Sequence, residues 1–149
     1  MQELMKIGIA SDHAGFEMKA RLIAYLQEKG FELVNFGTDS AESMDYPDVA
    51  HPLALAVENG DVDCGIAFCG TGEGMAMTLN KHQGIRAGLA WDPAIAELTR
   101  RHNDANILVM PARFLSFEKV TAITDTWLST PFEGGRHQRR IDKMPVSRG

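Results

Sequence analysis

The chain of 149 residues has no apolar run near the ~20 residues that a membrane-spanning helix needs. Its N-terminus also lacks a signal-like apolar segment, so the expected location is the cytoplasm, away from membranes. Cysteine is scarce: only Cys64 and Cys69 are present, five apart on one strand-like run with side chains on opposite faces, which excludes an internal disulfide. No Cys/His spacing matches a zinc site, and no bound metal is expected. Positive charge is short overall. A net charge of −5 argues against a broad nucleic-acid face. The basic residues Arg136, Arg139, Arg140, Lys143 and Arg148 nevertheless crowd one end, as a ligand-sized patch or as an ordinary solvated face. Disorder is excluded too, because 44% hydrophobic and 23% charged residues are ordinary for a compact chain. The length suits one domain over 1–149, with a basic helix and tail from about residue 133.

What the chain does have is alternation. Residues 5–10 form an apolar run closed by Ser11-Asp12-His13, and Phe16, Met18, Leu22, Ile23 and Leu26 then recur at helical spacing. Gly30 stands at a helix end, and residues 31–36 read as a second strand. A helix is expected from about Pro47, with Pro52 close enough to its first turn to kink it without ending it. Strands follow at 64–68, 85–90 and 107–110. Asp92-Pro93 opens one helix, Ser116 caps another running through Trp127, and Arg136 to about Met144 forms a last short one. This order implies an α/β fold, a parallel sheet covered on both faces by right-handed crossovers.

The stretch Cys69-Gly70-Thr71-Gly72-Glu73-Gly74 lies where a strand turns into a helix. Its three glycines remove β-carbons that would block close approach, so loop amides can converge on an anion, and their partial positive charge favours a thiolate beside them. An acid–base thiol next to an anion cradle is one reading; a glycine-rich turn with a buried cysteine is the other. Ligands of such sheets lie beyond the carboxyl ends of the strands. That rule gathers Asp12 and His13, the 69–74 loop and Arg113, although Asp12 and His13 also suit a helix cap. His102 to Asn106 follows a helix and so belongs to the opposite edge. It is either a solvated turn or a group that another subunit presents.

Further runs match a known family: Ser-Asp-His-Ala-Gly-Phe at 11–16, Asp-Tyr-Pro at 45–47, Cys-Gly-Thr-Gly-Glu-Gly-Met at 69–75, and Asn-Lys at 80–81. Gly-Ile-Arg-Ala at 84–87, Arg-His-Asn-Asp-Ala-Asn at 101–106 and Glu-Gly-Gly-Arg-His-Gln-Arg-Arg at 133–140 complete them. The chain resembles the type B ribose-5-phosphate isomerases, whose family also contains galactose-6-phosphate isomerase subunits. The resemblance implies a Rossmann-like three-layer αβα sandwich with a five-stranded parallel sheet. It also implies a homodimer or tetramer with sites shared between subunits, and no cofactor. It further implies Cys69 as the proton-transferring base, with Thr71 beside it and Gly70 to Gly74 around the enediolate. His102 takes the ring-opening position. Asp12, His13 and Asn103 match positions contacting sugar or phosphate, and Arg113, Arg136 and Arg140 match the basic residues around the phosphate. Met75 stands where some members carry a glutamate base. Glu73 departs from the family, and a carboxylate there either points outward or acts on the thiol.

Such an isomerase needs a base, an oxyanion cradle and a ring opener, and the chain supplies candidates for each. A six-carbon sugar phosphate is the rival substrate, and a non-catalytic sugar-phosphate sensor the rival class. A sensor has no use for Cys69, Thr71 and His102 together. A nucleotide-binding Rossmann protein should carry its glycine fingerprint after strand one, where Asp12-His13-Ala14-Gly15 stands.

Overall fold

The computed structural model describes residues 5–146, so Arg148 lies outside the described residues. Five strands form the sheet: β1 (Lys6–Ser11), β2 (Glu32–Asn35), β3 (Cys64–Cys69), β4 (Ala87–Leu89) and β5 (Ile107–Pro111). The helices are α1 (Phe16–Glu28), α2 (Pro47–Glu58), α3 (Glu73–Leu79), α4 (Pro93–Arg101), α5 (Phe117–Ser129) and α6 (Arg136–Asp142), with a 3-10 turn at Ala112–Phe114. All pairings are parallel, in the order β2-β1-β3-β5-β4.

Burial explains which strands are central. β3 and β5 are buried along their whole length, as continuous apolar runs must be when helices cover both faces of a sheet. Alternate residues divide the core in two. Ile66 and Phe68 pack with Leu22 and Leu26 of α1 and with Val120, Ile123 and Trp127 of α5. Ala67 and Cys69 face Val49 and Leu53 of α2 and Met75 and Leu79 of α3. Each fully buried leucine, isoleucine or phenylalanine contributes ~1.5–3 kcal/mol, so these two clusters carry the fold. The chain leaves β1 toward β2 on one side and returns to β3 on the other, which opens a crevice between β1 and β3 at their carboxyl ends.

Two strands are shorter than their apolar runs suggest. The N–H of Phe31 closes the end of α1 on the Leu26 carbonyl, and Gly37, with φ of 98°, turns the chain away after Phe36, leaving β2 at Glu32–Asn35. The expected strand 85–90 is trimmed to Ala87–Leu89. The N–H of Arg86 donates to the side chain of Asn106 at 2.8 Å rather than to a strand, and Asn80 brackets Ala87 through its N–H and carbonyl. α2 runs unbroken through Pro52, whose missing N–H falls on an exposed face. Asp92 and Ser116 cap α4 and α5 as expected, accepting from the N–H groups of Ala94 and Lys119.

Candidate active site

Cys69 ends β3 and is 5% exposed, with its side chain in the cluster that also holds Met75. The turn that follows depends on glycine at two positions. Gly72 has φ of 79° and a β-carbon there would overlap Leu89, while a β-carbon on Gly74 would overlap the ring of Tyr46. Thr71 Oγ1 accepts the Glu73 N–H at 3.2 Å, so its hydroxyl shapes the loop and keeps its own proton to donate. Arg113, on the 3-10 turn after β5, is drawn to the same place because Cys69 and Pro111 are in register.

At the end of β1, Asp12 Oδ1 accepts from the N–H groups of Ala14 and Gly15 at 2.9 and 3.2 Å. Its carboxylate therefore orders the loop before α1 without capping the helix, whose N-cap is Gly15 with no side-chain bond. His13 does something else. Its Nδ1 accepts the Met44 N–H at 3.2 Å, so the neutral ring carries its proton on Nε2. His13 and Asp12 line a cavity of about 620 Å³ with Asp45, Tyr46, Asp48 and Arg113. An arginine opposite three carboxylates and a histidine suits a ligand that carries both an anionic group and hydroxyls.

Glu73 is exposed and points outward. With Thr71, Trp91, Phe114 and Lys119 it lines a different cavity, of about 750 Å³. The other cysteine is a buried packing group. Burial pushes the Cys64 thiol up to about 12, with the neighbouring Asp63 charge acting in the same direction.

One chain does not bring the remaining candidates to Cys69. His102 ends α4, and the chain enters β5 at Ile107, whereas Cys69 is in register with Pro111 at the far end of that strand. At ~3.3 Å per residue, a whole strand separates the two sets. His102 stacks on His137 of α6, with ring centroids 4.4 Å apart and planes at 12°. Arg136 and Arg140 are exposed on the same helix. Asn103 lines a third cavity, of about 480 Å³, with Asn80, Arg86 and Ile141. The loop is held firmly. Arg86 donates to the carbonyls of Asn103 and Asp104, and Arg100 to the Asp104 carboxylate and the Ala105 carbonyl, with Asp104 at φ of 47°.

Sequence reasoning assigned no task to Tyr46, Asp45, Asp48 or His137. The Asp-Tyr-Pro run was a signal for the first two, but the cavity arises only when the 44–48 segment folds back over the 69–74 loop.

Known proteins resemble the chain over almost its whole length. The model of the ribose/galactose isomerase family matches residues 7–144. The chain is 45% identical over 141 residues to ribose-5-phosphate isomerase B of Escherichia coli strain K12, covering 95% of each. It superimposes on a ribose 5-phosphate isomerase of Thermotoga maritima with a TM-score of 0.94 and 50% identity, over 96% of this chain and 99% of that one. The ribose-5-phosphate isomerase B of Mycoplasma genitalium with bound ribulose 5-phosphate matches with a TM-score of 0.91 and 41% identity, over 95% of each chain. Sequence and fold agree along almost the whole length, and the chain belongs to the ribose/galactose isomerase family.

Proposed function

We propose that the protein interconverts ribose 5-phosphate and ribulose 5-phosphate, an aldose–ketose isomerisation of the pentose phosphate pathway. The observation that carries this reading is the near full-length likeness to an isomerase holding ribulose 5-phosphate. Cys69 takes the proton from C2 of the open-chain aldose and returns it to C1 of the enediolate. Amide groups of Gly70 to Gly74 and the Thr71 hydroxyl hold the charge that develops on oxygen, the term that most lowers such barriers. Asp12 and His13 position the sugar, Glu73 borders the site from outside, and Arg113 approaches the loop with a charged donor fork.

His102, Asn103, Arg136 and Arg140 enter the same site from a second copy of the chain, because within one chain they lie at the other end of the sheet. His102 then moves the proton of ring opening, and the arginines grip the phosphate. The working form is a homodimer or a tetramer built from such dimers. We place it in the cytoplasm, where its two free thiols stay reduced.

A six-carbon sugar phosphate is the second reading, favoured by the galactose branch of the matching family. Purified protein incubated with ribose 5-phosphate and EDTA should form ribulose 5-phosphate at the rate seen without chelator. Turnover of galactose or allose 6-phosphate with none of ribose 5-phosphate would transfer the assignment. Activity restored only by a divalent ion would remove the cofactor-free mechanism.

A further inference from the structure

We propose that His102, Glu133 and His137 form a binding site for a zinc-class divalent cation, and that its occupancy inhibits the isomerase. Three ligand atoms, one from each residue, lie within 4.8 Å of one another. The second observation is independent of that clustering. His137 is 5% exposed, and its Nε2 is buried with no hydrogen-bond partner, 3.4 Å from Glu133 Oε1. A buried ring nitrogen without a partner is costly, and a cation is one of the few groups that could satisfy it.

The scaffold brings the three residues together. The Glu133 N–H donates to the Arg101 carbonyl at 3.0 Å, which fixes the acidic residue beside the end of α4 where His102 sits. His137 is held one turn further on by α6. Two imidazole nitrogens and one carboxylate oxygen suit zinc, with a fourth position open to water, whereas magnesium and calcium prefer oxygen throughout. Zinc–nitrogen bonds of ~2.0–2.1 Å lie close to the plane of each ring, so the cation cannot sit between parallel stacked rings. The half-buried His102 therefore tilts out of its stack to bind. Its lone pair is then on the metal, and it can no longer accept the proton of ring opening. This inhibitory consequence rests on the ring-opening role proposed above; cation binding itself does not.

Sequence spacing gave no sign of the cluster, because His102 and Glu133 lie 31 positions apart and the cluster forms only when α6 folds onto the end of α4.

The test separates binding from catalysis. Cys69→Ala protein, which lacks the competing thiol, is titrated with Co²⁺ and followed by visible absorption, then with Zn²⁺ by calorimetry. One ion per chain is expected. Loss of an outer-shell partner alone weakens metal sites ~10–100-fold, so Glu133→Gln and His137→Gln in the same background should weaken binding at least as much. Glu133 is exposed, so its variant should fold even where the buried His137 variant does not. In enzyme with Cys69 intact, zinc should abolish turnover at the concentration that fills the site. Glu133→Gln should keep metal-free turnover and need at least tenfold more zinc. Absence of binding, or Glu133→Gln binding as tightly as its parent, overturns the site. Full turnover at full occupancy overturns the inhibition. Failure of the metal-free protein to turn over ribose 5-phosphate would instead strike the function proposed above.

Discussion

Arg113 and Gly70 hold one another twice. The Arg113 backbone N–H donates to the Gly70 carbonyl at 3.1 Å, and the guanidinium lies across the glycine so closely that a β-carbon there would sit 3.2 Å from Arg113 Nη1. A charged fork is thereby parked over the first glycine after Cys69.

Arg113→Ala should raise KM for ribose 5-phosphate by the ~1.5–3 kcal/mol of a hydrogen bond to a charged group, roughly 10–150-fold, with a smaller effect on kcat. Gly70→Ala should shift the guanidinium and raise KM less. Arg136→Ala and Arg140→Ala should behave like Arg113→Ala, because all three are exposed and little folding energy is lost. Initial rates with ribose 5-phosphate and unphosphorylated ribose decide it: equal losses on both sugars would make the arginines structural.

Cys69→Ala should lower kcat ~10²–10⁴-fold, the range of a positioned acid–base group. Glu73→Gln should keep nearly full activity with an unchanged pH profile, since Glu73 is exposed and bonds Thr71 through its backbone N–H rather than its carboxylate. Iodoacetamide followed by peptide mass mapping should modify Cys69, with substrate protecting it. Cys64 should be spared, its thiol pushed up to about 12 by burial. An active Cys69→Ala enzyme beside a dead Glu73→Gln one would transfer the base to the carboxylate.

Mixing should restore what each single variant loses. Cys69→Ala and His102→Ala should each be almost inactive alone. Mixed dimers should regain activity at one of two sites, because that site then holds both intact residues. Mixtures that stay inactive after subunit exchange, verified by mass spectrometry, would place both residues in one chain's site.

Asp39→Asn tests a charge pair between α1 and the loop after β2. The Lys19 ammonium is 1% exposed and donates to Asp39 at 3.0 Å and to Asn35 at 2.9 Å. Bonds from Lys19 and then Asn35 hold the Asp39 carboxyl below its ordinary 3.8. Because the folded value is the lower one, the stabilisation is present above 3.8 and fades as pH falls below it. The Asp39 side chain is 72% exposed, so solvent screening holds the cost of Asp39→Asn to about 0.5–1 kcal/mol near neutral pH, and the gap in thermal midpoint from the parent should close in acid. A gap that stays constant from pH 7 to pH 2.5 would assign the loss to packing.

Much of this arrangement could be read from residue order alone. Asp92-Pro93 and Ser116 announce helix starts because capping is local chemistry, and the run from Cys64 to Cys69 announces a buried strand because nothing in it is charged. The trimming of β4 was not legible, since it depends on Asn80 and Asn106 reaching backbone groups across the fold. Tyr46 against Gly74 was hidden for the same reason, as was the His102–His137 stack. Position along the chain did reveal that His102 and Cys69 occupy opposite ends of the sheet, because parallel strands fix which loops share an edge.

The two outer strands have a further consequence, for self-association. β4 is three residues long, and β2 is four, with Glu32 exposed and reaching Lys6 at 3.7 Å. Short or charged borders offer a poor template for another strand, so neither rim invites ladder extension or amyloid-like stacking. The second copy proposed above would dock through helices and loops, and those surfaces include the ones that carry His102, Arg136 and Arg140.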